Sequence, residues 1–181
     1  MRKTISIIFT QILLLLCFSG CFLLEDDTNS KYVDNYSKSI PYINETLINV
    51  YGVEFKVNEV TNHDLLTNGY YEITTDANFV WITLEIYNGS NKTISINPND
   101  FQLKKISQSG TLSYRYSSHT YSLPDYMTHT ELGPELRKTF NILFEVPSKT
   151  TVDEYRLICE LTTLSFDIPN DAVNAIILKN R

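Results

Sequence analysis

Four stretches of this chain alternate apolar and polar residues with a period of two, and that pattern admits few folds. Val53, Phe55 and Val57 alternate with Glu54, Lys56 and Asn58. Val80, Ile82, Leu84 and Ile86 alternate with Trp81, Thr83, Glu85 and Tyr87. Phe140, Ile142, Phe144 and Val146 alternate with Asn141, Leu143 and Glu145, and Tyr155, Leu157, Cys159 and Leu161 with Arg156, Ile158 and Glu160. In extended backbone successive side chains point to opposite faces, so each set turns one apolar face toward a core. Turn signals lie between them: Asn68-Gly69, Asn88-Gly89, Asn97-Pro98, Ser109-Gly110, Gly133-Pro134 and Pro147-Ser148. Many short alternating strands at this spacing predict an all-β chain folded as an antiparallel β-sandwich. Residues 151–166 also accommodate a helix through Val152, Tyr155, Cys159 and Leu161, but the β-branched Thr162 and Thr163 favour strand. The end stays open between a short helix capped by Asn170 or Asp171 and a last strand within residues 173–178. No internal repeat occurs.

The N-terminus follows different rules. Arg2 and Lys3 open the chain, residues 5–18 are apolar except for Ser6, Thr10 and Gln11, and Ser19-Gly20-Cys21 follow. A positive start, an apolar stretch and small residues before a cut site describe a secretory signal over residues 1–20. The run is short of the roughly 20 residues that span a bilayer. Glu25, Asp26 and Asp27 follow it in place of a basic flank. Phe18-Ser19-Gly20-Cys21 resembles the bacterial lipobox, with Phe in place of the usual Leu. That resemblance implies a diacylglycerol on the Cys21 thiol and cleavage just before it. Cys17 is a poor rival because bulky Leu16 precedes it. The competing reading is an ordinary signal, cleaved or kept as an anchor, with a coincidental Cys. The expected address is the outer side of a cell membrane, held by lipid, since two or three acyl chains anchor stably where one does not.

Residues 21–45 are expected to be the acylated Cys and a polar tether, and residues 46–181 the sandwich domain. As a coil, about 25 residues would hold the domain roughly 25–30 Å from its anchor. Tyr32, Tyr36 and Tyr42 offer the alternative that this stretch docks on the domain. Removing the signal with Arg2 and Lys3 takes the formal net charge from −6 to −8. No run of Lys or Arg occurs, and this acidic balance excludes nucleic acid as the expected partner. With Cys17 cut away and Cys21 acylated, Cys159 has no partner, so the domain must stand without disulfides. Its neighbours Leu157, Ile158 and Leu161 make it a small buried hydrophobe rather than a reactive thiol.

Residues 78–161 resemble the DUF4352 family of bacterial immunoglobulin-like domains, which are similar in fold to mycobacterial immunoprotective extracellular antigens. Phe79 to Asn88 resembles the family's central strand, which ends in an Asn-containing turn. Ile94 to Leu103 resembles its next two strands. Leu132-Gly133-Pro134-Glu135 resembles its Leu-x-Pro-Gly-Glu turn with Gly and Pro exchanged, and lacks the glycine before the glutamate. Phe144-Glu145-Val146-Pro147 resembles its Phe-x-Val-Pro strand end. The resemblance implies an immunoglobulin-like sandwich and carries no catalytic residues.

Candidate chemistry is sparse. His63, His119 and His129 have no metal-ligand spacing. There is no Gly-x-Ser-x-Gly, Gly-rich phosphate loop or His-Glu-x-x-His. Asn97-Pro98-Asn99-Asp100 reads as a turn, and no Asp-x-Asp-x-Asp run points to calcium. No cofactor is expected, and no enzyme activity. The sequons at Asn35, Asn44, Asn88 and Asn91 are read as unmodified. Residues 114–129 are unusual: a long segment of Tyr and Ser, the composition that paratopes use because Tyr gives large amphipathic contact at low entropy cost. Tyr114, Tyr116, Tyr121 and Tyr126 are the expected contact residues for a protein partner at the cell envelope. The alternative is that Tyr114 and Tyr116 form one face of a strand and the rest packs locally. The expected function is a non-catalytic binding or accessory domain, ahead of a hydrolase whose site forms only in three dimensions and of an assembly subunit.

Overall fold

The alternating segments become the two faces of a sandwich. A computed structural model describes residues 36–67, 72–107, 110–147, 155–161 and 174–179. Among these residues ten strands occur and no α-helix: β1 (Thr46–Ile48), β2 (Val53–Thr67), β3 (Glu72–Asn88), β4 (Ile94–Ile96), β5 (Phe101–Ser107), β6 (Gly110–Tyr114), β7 (Thr130–Leu132), β8 (Arg137–Pro147), β9 (Tyr155–Cys159) and β10 (Ala175–Ile177). The first sheet has the order β1-β2-β3-β8 and the second β10-β9-β5-β6, while β4 and β7 form a separate ribbon. All these ladders are antiparallel. This is the immunoglobulin-like antiparallel β-sandwich expected. The open end resolves in part: residues 175–177 are a strand. The proposed caps Asn170 and Asp171, the signal, Cys21 and Tyr32 lie outside the described residues.

The core lies between the sheets. Val53, Phe55 and Val57 of β2, the even-numbered apolar set of β3, and Phe140, Ile142, Phe144 and Val146 of β8 face Phe101 and Leu103 of β5 and Tyr155, Leu157 and Cys159 of β9. Every apolar set named from the alternation is buried. Register pins this arrangement, because a one-residue slip would turn each apolar set to solvent. Shifts in register at Val57/Glu59 and His63/Leu65 mark irregularities in the long β2–β3 hairpin. The thiol of Cys159 is pushed well above its ordinary range, by burial first and by neighbouring Glu160 second.

The polar stretch before residue 46 is already engaged by Ser37. The Ser37 N–H donates to Ile48 O at 2.8 Å and the Ile48 N–H to Ser37 Oγ at 2.9 Å. Asn44 N–H donates to Val57 O at 2.9 Å, Ile177 N–H donates to Pro41 O at 2.8 Å, and Ile43 packs on the core. Residues 37–44 therefore lie along the open edges of β1 and β10, where unpaired backbone would invite foreign strands. Within the expected tether, residues 37–44 are thus held to the domain by backbone hydrogen bonds.

Two turns explain local sequence. Asn88 is fully buried, and its Nδ2 donates to Lys92 O and Leu132 O, both at 2.8 Å, while its Oδ1 accepts from Ser90 Oγ at 2.6 Å. This sequon asparagine has its side-chain amide fully occupied by the fold. In the Gly133–Leu136 turn, Glu135 takes a left-handed φ of 60°, the conformation a glycine adopts freely. Tyr87 donates a short hydrogen bond to Glu135 Oε2, and Arg137 lies over the Tyr87 ring at 5.0 Å.

Candidate functional site

The outward face of the first sheet is not uniformly polar. Phe79, Trp81 and Leu143 alternate with the core residues of β3 and β8, so they point away from the sandwich. Residues 116–127 fold back across this face and cover it. Leu123 joins Leu66, Phe79 and Leu143 in a second small core, with Trp81 and Ile73 at its margin. A gap of about 50 Å³ remains between this loop and the sheet, lined by Leu66, Thr67, Ile73, Trp81, Ser122, Leu123 and Pro124.

Hydrogen bonds lock the loop to the open edge of β8. Ser117 N–H donates to Leu143 O at 2.6 Å, and Leu143 N–H donates to Thr120 Oγ1 at 3.1 Å. Asn141 N–H donates to Asp125 O at 3.0 Å, and Met127 N–H to Asn141 O at 2.9 Å. The Asn141 side chain ties three elements: its Oδ1 accepts from Trp81 Nε1 at 2.9 Å and Thr83 Oγ1 at 2.8 Å, and its Nδ2 donates to Pro124 O at 2.7 Å. Within the loop, Ser117 caps a short 3-10 turn (Ser118–Ser122) by accepting from His119 N–H at 3.2 Å. Asp125 takes a left-handed φ of 45°, which Asp tolerates better than most residues.

This scaffold presents the tyrosines. Tyr116 and Tyr121 meet edge to face at 6.4 Å and 86°, and Tyr121 and Tyr126 at 5.5 Å and 88°. The three rings form a ladder. Tyr121 is 51% exposed and Tyr126 41% exposed, while Tyr116 is half-buried against the core. A hydrogen bond between the Tyr121 and Tyr116 side chains raises the Tyr121 pKa above its ordinary 10.0, with desolvation and the Tyr116 charge adding to it. Tyr114 is elsewhere: its ring packs on Tyr155 at 5.8 Å at the margin of the main core. The structure thus gathers three of the four expected contact residues and turns the fourth inward.

Sequence reasoning missed Asn141 and Trp81, which hold the loop. A signal was present, because Phe79, Trp81 and Leu143 are large apolar residues at positions the alternation assigns to solvent. Beside the ladder, Tyr116 also lines a cleft of about 210 Å³ with Asn99, Phe101, Gln102 and Arg115. The Asn97–Asp100 segment is a turn, as read: Asn97 N–H donates to Asp100 Oδ2 at 2.8 Å and Asn99 N–H to Asn97 Oδ1 at 2.9 Å. The histidines are dispersed. His63 tilts against Trp81 at 5.9 Å, His119 meets Phe79 edge to face at 5.9 Å, and His129 pairs with Glu131 at 3.2 Å. Among the described residues no three His, Cys, Asp or Glu side chains converge as metal ligands.

Fold and surface define an antiparallel β-sandwich protein with one face sealed by a tyrosine-rich loop. The model of a domain of unknown function, DUF4352, matches residues 42–165, and the chain belongs to that family. It is similar to the yjhA protein of Bacillus subtilis, with 18% identity over 77% of this chain and 100% of that one, at a TM-score of 0.58. It is also similar to the ycdA protein of Bacillus subtilis, described as a "putative lipoprotein", with 15% identity, 77% of this chain covered and a TM-score of 0.50. The chain spans 40% of the length of that second protein. These likenesses establish the fold. No curated protein matches the chain.

Proposed function

We propose that the chain is an exported lipoprotein of the cell envelope, held to a membrane by lipid on Cys21, and that its sandwich is a non-catalytic binding domain whose contact surface is the loop carrying Tyr116, Tyr121 and Tyr126. The observation that carries this reading is the tyrosine ladder: exposed amphipathic rings on a loop fixed at both its backbone and its base. Amphipathic aromatics held in place give contact area with little ordering on binding, which raises affinity. The Ser19-Gly20-Cys21 signal and the description of ycdA as a lipoprotein support the address. Fractionating cells that express the wild type and Cys21→Ser tests the anchor. The wild type partitions with the membrane and has the mass of a chain beginning at an acylated Cys21, whereas the variant is released or accumulates unprocessed. Identical mass and membrane partition in the two proteins refute the anchor.

One observation favours the assembly-subunit reading. β6 is the edge strand of the second sheet, and Leu112 on it is 56% exposed. A partner strand pairing there would cover both. Leu112→Lys would abolish such an assembly and leave binding through the tyrosine loop intact.

A further inference from the structure

The outward face of the second sheet carries a cationic strip in a chain whose carboxylates outnumber its cations, 21 to 15. Phe101 and Leu103 of β5 and Tyr155, Leu157 and Cys159 of β9 point into the core. Gln102, Lys104 and Arg156 therefore point outward and are half-buried, beside Ile158, which is buried. Register sets Lys104 directly opposite Arg156. Like charges facing each other across antiparallel strands destabilise a sheet, and an acidic chain has ample carboxylate to avoid the pairing. Among the described residues neither Lys104 nor Arg156 stands in an ion pair with a carboxylate. Glu160, just past the end of β9, is engaged by Asn174, whose Nδ2 donates to it at 2.8 Å.

The strip continues into the cleft of about 210 Å³. Gln102 and Arg115 line it with Asn99, Tyr116 and a floor of Phe101, and Arg115 is exposed with no ion-pair partner among the described residues. Gln102 and Lys104 are two residues apart on β5, so the cleft and the Lys104–Arg156 pair are separated by about 7 Å.

We propose that this face binds a single linear polymer of phosphodiesters whose phosphates recur about every 7 Å along an uncharged backbone. One phosphate seats in the cleft on the planar fork of Arg115, which matches two phosphate oxygens at once, with the Asn99 and Gln102 carboxamides beside it. The next lies over Lys104 and Arg156, where its charge removes their repulsion. A thin chain touches only the strip. A flat anionic membrane would also face the net negative remainder of the domain within the Debye length of about 8 Å. Nucleic acid single strands need stacking platforms, and here Phe101 is buried and Tyr116 half-buried. This site is separate from the exposed end of the tyrosine ladder and stands whether or not that ladder binds a partner.

The test is calorimetry on the full chain in non-ionic detergent, with a synthetic oligo(glycerol phosphate) as titrant. Arg115→Gln, and separately Lys104→Gln with Arg156→Gln, should each weaken binding about tenfold and lower the slope of log affinity against log salt by about one per lost phosphate contact. The melting temperature of the double variant should hold or rise, since it removes a like-charge pair. That keeps loss of binding distinct from loss of fold. Tyr121→Ser should leave this binding unchanged. The proposal is overturned if the oligomer does not bind the wild type, if the variants bind it equally well, or if oligo-thymidylate or anionic vesicles bind more tightly than the oligomer.

Discussion

Asn141→Ala should release the loop without disturbing the main core. Asn141 is 9% exposed and makes three side-chain hydrogen bonds, to Trp81, Thr83 and Pro124. Its backbone bonds to Asp125 and Met127 survive the substitution. Each lost bond contributes a net ~0.5–1.5 kcal/mol, and a polar group left unsatisfied adds to the loss. The partly accessible Trp81 and Thr83 recover some bonding to water, which places the total near 3 kcal/mol. For a domain of this size that lowers the melting temperature by roughly 6–12 °C. Trp81 is the single tryptophan of the chain, so its fluorescence reports the loop directly. Its emission should shift to the red in the native variant as water enters beneath the loop. Asn141→Asp separates the two halves of the effect: it keeps the acceptor for Trp81 and Thr83 but sets a carboxylate against the Pro124 carbonyl. A loss below about 0.5 kcal/mol with unchanged Trp81 emission would refute the claim that Asn141 pins the loop.

Other outcomes follow from single features. Gly89→Ala should cost about 1–3 kcal/mol in chemical denaturation, because a Cβ there would stand 2.6 Å from Gly52 O, a backbone atom that cannot swing aside. Cys159 should resist maleimide in the native protein and label fully in guanidinium, as read by peptide mass, since burial keeps it a thiol. The raised Tyr121 pKa means that the stabilisation from its hydrogen bond is complete below pH 10.0 and is lost as pH rises through the raised value. Tyr116→Phe removes the largest cause and should bring the Tyr121 ring-carbon NMR titration down toward 10.0. An unchanged midpoint contradicts the hydrogen bond.

The long strands were legible because one face of each is buried, and burial on one face writes a period of two into sequence. β2, β3, β8 and β9 all announced themselves in this way. The three-residue strands β1, β4, β7 and β10 are too short to carry a period, and they exist because neighbouring strands offer them hydrogen bonds. Docking of residues 37–44 stood in the sequence only as the alternative its tyrosines offered, since it rests largely on backbone groups that any polar sequence supplies. The tyrosine segment stood out by composition. Its arrangement did not, because the residue that ties it down, Asn141, is 17 positions from Pro124 and 60 from Trp81. Tyr114 and Tyr116 are two apart and follow one strand, yet the chain leaves the sheet between them, so one ring packs on Tyr155 and the other joins the ladder.

The most direct test of the proposed role is photo-crosslinking in living cells, with a photoreactive phenylalanine in place of Tyr121 in one strain and of Leu136 in another. Both positions are more than half exposed, at 51% and 55%, so both can reach a neighbour by chance. A discrete crosslinked species is expected from position 121, lost on Tyr126→Ser, and none from position 136. Equal crosslinking from the two positions, or none from position 121, contradicts it.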